Sequence, residues 1–283
     1  MTSLNAAFHK SWRLKIGRAK EHFAGLETEI KEWVGTNPII VTKEKNADGR
    51  THDGFAEVVN PPPLHRWALI SGDCVHNLRS ALDSIVYGIA IHEENANPPS
   101  EAKMLQFPIA ASDVQFSNQK NWIKSLSLPV QSVIEKAQPY NVPHQEYPPL
   151  LELLGSLNNI DKHRTINLMA PVPHRVSISM ATPSLGTDVY RTAIEGKTKI
   201  FSFTIEPGDP DLKYRCETVV VICVAHSPGP SKSPFSELVG VLHSLIAEVE
   251  RIVDELETIV GEMQSVPGPT LAQHAHFPLN TSD

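Results

Sequence analysis

The stretch DCVHNLRSALDSIVYGIA, residues Asp73 to Ala90, carries two faces of opposite character. At about 100° per residue, Val75, Leu78, Leu82, Ile85 and Ile89 recur at helical steps and make one apolar stripe. His76, Ser80, Asp83 and Tyr87 descend the opposite face, with Arg79 at the border. A solvated helix face is ordinarily coated with Lys and Glu. This one holds short polar and aromatic side chains, a composition suited to a site or to a polar seam. The pattern predicts a helix that starts near Leu64, after the prolines at 61 to 63, and ends before Asn95.

Outward from this helix, the chain supplies stripes for it to pack against. Trp12, Ile16, Phe23, Leu26, Ile30 and Trp33 keep a heptad-like spacing and predict a long first helix, stopped by Gly35 and Pro38. Leu150, Leu153, Leu154, Leu157 and Ile160 predict a helix opened by Pro148 and Pro149. A last helix is expected from Ser233-Pro234 to about Met263, with a stripe whose width suits bundle core more than a two-stranded coiled-coil seam, and a homodimer contact stays open. Segments 39–41 and 55–59 read as short strands around Asp48-Gly49. Between Arg175 and His226 the period changes to alternation, which predicts three or four antiparallel strands.

None of these helices can bury its stripe alone. The expected fold is therefore α+β and mainly helical: an antiparallel bundle of four long helices with a small antiparallel β-sheet insertion. A single composite domain over 1–264 is expected, with helical core at 5–164 and 233–264 and the β insertion at 170–228. Residues 265–283 read as a disordered tail.

Composition removes several classes of function. The net charge of -7 argues against a broad surface for coating nucleic acid, although a local basic pocket stays open. Cys74, Cys216 and Cys223 are odd in number and lack Cys-x-x-Cys spacing, so neither a disulfide framework nor a zinc knuckle is expected. No window approaches the roughly 18 apolar residues of a membrane span, and a cytoplasmic protein without a membrane partner is expected. Phosphate-binding glycine loops, His-Glu-x-x-His and Gly-x-Ser-x-Gly are absent from the sequence.

Two polar clusters carry the candidate chemistry. The first is His76, Arg79, Ser80, Asp83 and Tyr87; the second is Asn159 and His163, one turn apart, with Asp161, Lys162 and Arg164 beside them. If their helices are neighbours, His163 is a general acid or base, Arg79 or Arg164 holds a phosphate or carboxylate, and Asp83 orients a histidine. The same residues equally make a structural network, because Lys, His and Arg at a helix C-terminus complement its dipole. A metal centre is the third alternative: Asp73 and His76 have carboxylate-x-x-His spacing, and Asp161 with His163 adds two ligands. That spacing is not repeated on the second helix, and no cofactor is expected.

Helices ending in Asn-x-x-x-His resemble the HEPN superfamily, whose helical bundles include many metal-independent ribonucleases. Their motif is an Arg, a gap of roughly four to six residues and a His, with Asn, Asp or His often following the Arg. Asn159 and His163 match the second and last positions, while Asn158 stands at the Arg position. Arg79 is followed, after the gap, by Ser84 where the motif has His. The resemblance implies RNA or nucleotide binding with metal-independent cleavage. His163, Arg79 and Asn159 are then the catalytic candidates, and His76, Asp83, Tyr87, Asp161, Lys162 and Arg164 the binding ones. A non-catalytic structural or interaction protein and a metal-dependent hydrolase are the alternatives.

Overall fold

The longest helix of the structure runs over Leu64–Glu94, and fifteen of its residues are buried, among them Trp67, Leu78, Leu82 and Ile85. The structure is a computed structural model that describes residues 11–142, 148–180, 184–206, 214–225 and 235–265. The expected Ser233-Pro234 helix start, His144 and the tail from 266 onward lie outside these residues.

In chain order the elements begin with α1 (Ser11–Gly35), β1 (Ile39–Lys45), β2 (Thr51–Val58), α2 (Leu64–Glu94), α3 (Asp113–Gln119) and α4 (Leu128–Lys136). They continue with α5 (Leu150–His163), β3 (Leu168–Met180), β4 (Ser184–Val189), β5 (Thr198–Ile205), β6 (Tyr214–Ala225), β7 (Phe235–Glu237) and α6 (Leu238–Ser265). Glu237 starts α6 by accepting the amides of Val239 and Gly240, a carboxylate on a helix N-terminus.

Helix α2 packs against α1, α5 and α6 in one large apolar core. Polar clasps fix its neighbours. Glu29 of α1 accepts from Trp67 Nε1 at 3.0 Å and from Arg66, while Trp33 Nε1 donates to the Asn60 carbonyl at 2.8 Å. At the far end of α1, Trp12 Nε1 and Arg13 both donate to Glu257 of α6.

The expectation of four long helices with a small β insertion is overturned. Helix α5 has only 14 residues, and the short α3 and α4 lie between α2 and α5. The strands form two antiparallel sheets, one four-stranded in the order β1-β2-β5-β4 and one three-stranded in the order β3-β6-β7. The first sheet draws half its strands from before α2, where the short strands at 39–41 and 55–59 were expected, and joins them to strands of the 170–228 segment. A lone two-stranded hairpin is marginal in water. The β1-β2 hairpin finds its partner in β5, with His52 opposite Phe203 and Gly54 opposite Phe201. A side chain at Gly54 would collide with the Phe201 ring.

A second, smaller core lies between the sheets. Phe201, Phe203, Ile205 and Ala56 of the four-stranded sheet pack on Val176, Ile178, Tyr214 and Cys216 of β3 and β6. The other halves of the same two strands belong to the helical core through Leu168, Ile222 and Val224. Pro171 and Pro173 fall at the two places where the register of β3 against β6 shifts, which is where a strand tolerates proline. Among the described residues no helix is long and apolar enough to cross a membrane.

Candidate functional site

The polar face of α2 serves three different neighbours. Ser80 and Ser84 accept from Lys15 Nζ of α1 at 2.5 and 2.7 Å. Tyr87 packs on the margin of the helical core. Arg79 and Asp83 turn to the extended segment 105–110, whose Leu105, Phe107 and Ala110 are buried.

That segment belongs to no helix or strand, yet buried backbone groups need partners. Side chains supply them. Arg79 Nη2 donates to the Phe107 carbonyl at 2.8 Å, and Asp83 Oδ1 accepts the Phe107 amide at 2.9 Å. Arg79 and Asp83 pair with each other at 3.0 Å. Gln138, fully buried, accepts the Ala110 amide and donates to the Pro108 carbonyl. Burial lowers the Arg79 pKa, and its Nη1 is buried without a partner. Arg79 and Asp83 therefore hold a strap, an arrangement quite unlike the phosphate-binding role expected for Arg79.

The two clusters do meet, but through Asp161. Its carboxylate lies directly on the backbone of Gly72, where any Cβ would overlap it. Burial raises the Asp161 pKa, the nearby carboxylate of Asp73 raises it further, and His76 opposes them. No hydrogen bond to Asp161 from another described residue compensates. One turn earlier on α5, Asn158 is 5% exposed and its Oδ1 also lacks a partner. No motif in the sequence marks Gly72. Its signal was a glycine inside a strong helix, which costs about 1 kcal/mol relative to Ala unless something needs the space.

Asn159, Lys162, His163 and Arg164 are exposed at the end of α5, and their side chains make no hydrogen bond to another described residue. Arg79 and His163 accordingly have different surroundings, the one buried in the strap and the other in solvent. Asp73, His76 and Asp161 come near one another. Among the described residues, however, no group of three or more His, Cys, Asp or Glu side chains could hold a metal ion.

Beside Arg164 opens a cavity of about 660 Å³, walled by the start of α2, the end of α5, the loop to β3 and Ala225 of β6. Its buried surfaces are apolar: Ala68, Ile166 and Leu168, extended by the half-buried Leu64 and Ile160. Its exposed surfaces are polar: His65, Arg164, Thr165 and Asn167. No carboxylate is among these lining residues. Pro63 at the N-cap of α2 offers no side-chain hydrogen bond to the first turn. His65, Thr165 and Asn167 were invisible as a group, because each stands alone in the sequence and only the fold gathers them. No family model, curated protein or solved structure matches the chain.

Proposed function

We propose that this chain binds RNA or a nucleotide at the joined ends of α2 and α5, taking a phosphate beside Arg164. The observation that carries the reading is the cavity itself. Its volume lies in the range of small-molecule sites, its depths are apolar, and its rim presents Arg164 and His65 with no opposing carboxylate. The uncapped first turn of α2 adds amide dipoles of the sign a phosphate needs. Lys162 and His163, exposed immediately before Arg164 in the chain, add to the local basic character although the whole chain is acidic.

Cleavage is the enzymatic form of the same reading. His163 is then the group that takes or gives a proton, and Arg164 is the one that steadies the phosphate, since Arg79 is occupied by Asp83 and the Phe107 carbonyl. The test is anisotropy and cleavage with labelled single-stranded RNA and nucleotides in EDTA. Arg164→Ala should weaken binding about tenfold to a hundredfold, the worth of one charge-assisted hydrogen bond. Cleavage that disappears in His163→Ala identifies a metal-independent ribonuclease. Affinity unchanged by Arg164→Ala in a folded protein sinks the phosphate assignment. A purely structural role is the second reading, favoured by the Arg79–Asp83 strap, and complete absence of ligand binding selects it.

A further inference from the structure

The four-stranded sheet ends in two edges of different character. An open edge presents unpaired backbone groups, and charged side chains, lysine above all, ordinarily keep other strands away from it. At one edge β1 carries Lys43, Glu44 and Lys45 in a row, all exposed. Lys43 also donates to the Tyr214 carbonyl at 2.6 Å and Glu44 pairs with Lys197, so this edge is both charged and clasped. At the other edge β4 reads SLGTDV, is exposed at every position and has Asp188 as its one charge. Leu185 is 56% exposed and Val189 45%.

The ladder fixes which backbone groups of β4 are free. Tyr190 N–H donates to the Ile200 carbonyl at 2.9 Å, in phase with the pairs Asp188–Ser202 and Gly186–Thr204. Residues between such pairs aim their N–H and C=O the other way in an antiparallel ladder. Thr187 and Val189 therefore point theirs away from β5, into the free edge. Their side chains lie on the face of Phe203 and Phe201, which stand opposite them. The face that makes the core between the sheets thus continues onto β4 and is uncovered there.

We infer that β4 pairs antiparallel with β4 of a second copy of this chain, joining the two four-stranded sheets about a two-fold axis at Thr187. Free backbone groups must meet free backbone groups, which puts the axis through a residue and not between two. The side chains then select the residue. A centre at Asp188 sets the two aspartates directly opposite one another, which is destabilising. Centres at Gly186 and Val189 leave one of the two exposed apolar side chains beyond the end of the partner strand. A centre at Thr187 sets Asp188 against the partner's Gly186 and Leu185 against the partner's Val189, so both apolar side chains are matched. The surface is self-complementary, as a two-fold contact requires.

The test is sedimentation equilibrium of the full chain from about 1 µM to about 1 mM, a range suited to a contact smaller than a standard interface. Thr187→Lys, Thr187→Cys and Asp188→Cys are run beside it, each checked for folding by circular dichroism; both positions are exposed on an edge strand. The unaltered chain should pass from monomer to dimer within that range. Thr187→Lys sets like charges on the axis and should weaken the dimer about fivefold. Under mild oxidation Thr187→Cys should cross-link beyond the level of the unaltered chain, because a hydrogen-bonded antiparallel pair holds its Cα atoms about 5.5 Å apart, within disulfide reach. Asp188→Cys should not, since its two copies are diagonal neighbours about 7–8 Å apart. A chain that stays monomeric throughout overturns the inference. So does a dimer unmoved by Thr187→Lys, or cross-linking of Asp188→Cys as readily as of Thr187→Cys.

Discussion

Replacing Arg79 by methionine separates a ligand-binding arginine from a structural one. The substitution keeps an unbranched stem in the helix and removes the guanidinium. What is lost is the hydrogen bond to the Phe107 carbonyl, charge-assisted and largely buried, worth about 2 kcal/mol. The ion pair to Asp83 adds at most about 0.5–1 kcal/mol, because the Asp83 side chain is 37% exposed and water screens it. Against these stands a relief of roughly 1 kcal/mol, since Nη1 is buried without a partner and methionine has nothing to desolvate. The net loss is about 1–2 kcal/mol, or roughly 2–4 °C in Tm for a chain of this size. Urea unfolding followed by circular dichroism measures it, with an unchanged slope showing that the unfolded state is unaffected. Hydrogen exchange adds a local reading: the Phe107 amide, still accepted by Asp83, should exchange faster once the strap has lost its second tie. An unaltered midpoint combined with lost nucleotide affinity would refute the reasoning and return Arg79 to the ligand.

Gln138→Leu strips the partners from the Ala110 amide and the Pro108 carbonyl in a fully buried place. It should cost roughly 2–4 kcal/mol, and a thermal melt within 1 °C of the unaltered chain would contradict this account of the strap. His52, stacked on Phe203 between the sheets, is held below its ordinary 6.5 by burial and, secondarily, by Lys45, with Asp48 and Asp53 opposing. The unfolded chain then takes up a proton before the folded one does, so the stability His52 contributes is present above about pH 6.5 and lost as pH falls below it. His52→Phe should flatten that limb in melts run from pH 7.5 to pH 5, and an unchanged slope would dismiss His52 as its source.

The helices were readable because a stripe at 3.6-residue spacing is a local signal, and Leu64, right after three prolines, opens α2 as its punctuation implies. The sheet pairing was not. His52 meets Phe203 across some 150 residues of chain, and alternation on each strand names a buried face without naming its partner. The strap was hidden for a different reason. LQFPIA over 105–110 lacks any period, and its backbone partners are Arg79, Asp83 and Gln138, side chains that in sequence look like a site or a surface. Of the two polar clusters, the sequence displayed every residue and none of the directions. The glycine that admits Asp161 and the four-sided cavity at Arg164 exist only once α2 and α5 run alongside each other.

The β3–β6 ribbon spends one half of its length in the helical core and the other half against the four-stranded sheet. It works as a beam clamped at both ends. The four-stranded sheet takes its strands from either side of α2, so no contiguous cut frees one core from the other, and a truncation on either flank leaves part of that sheet without its neighbours. The chain should accordingly melt in one step under calorimetry, and a force applied across the ribbon would load the α2–α5 seam that walls the cavity.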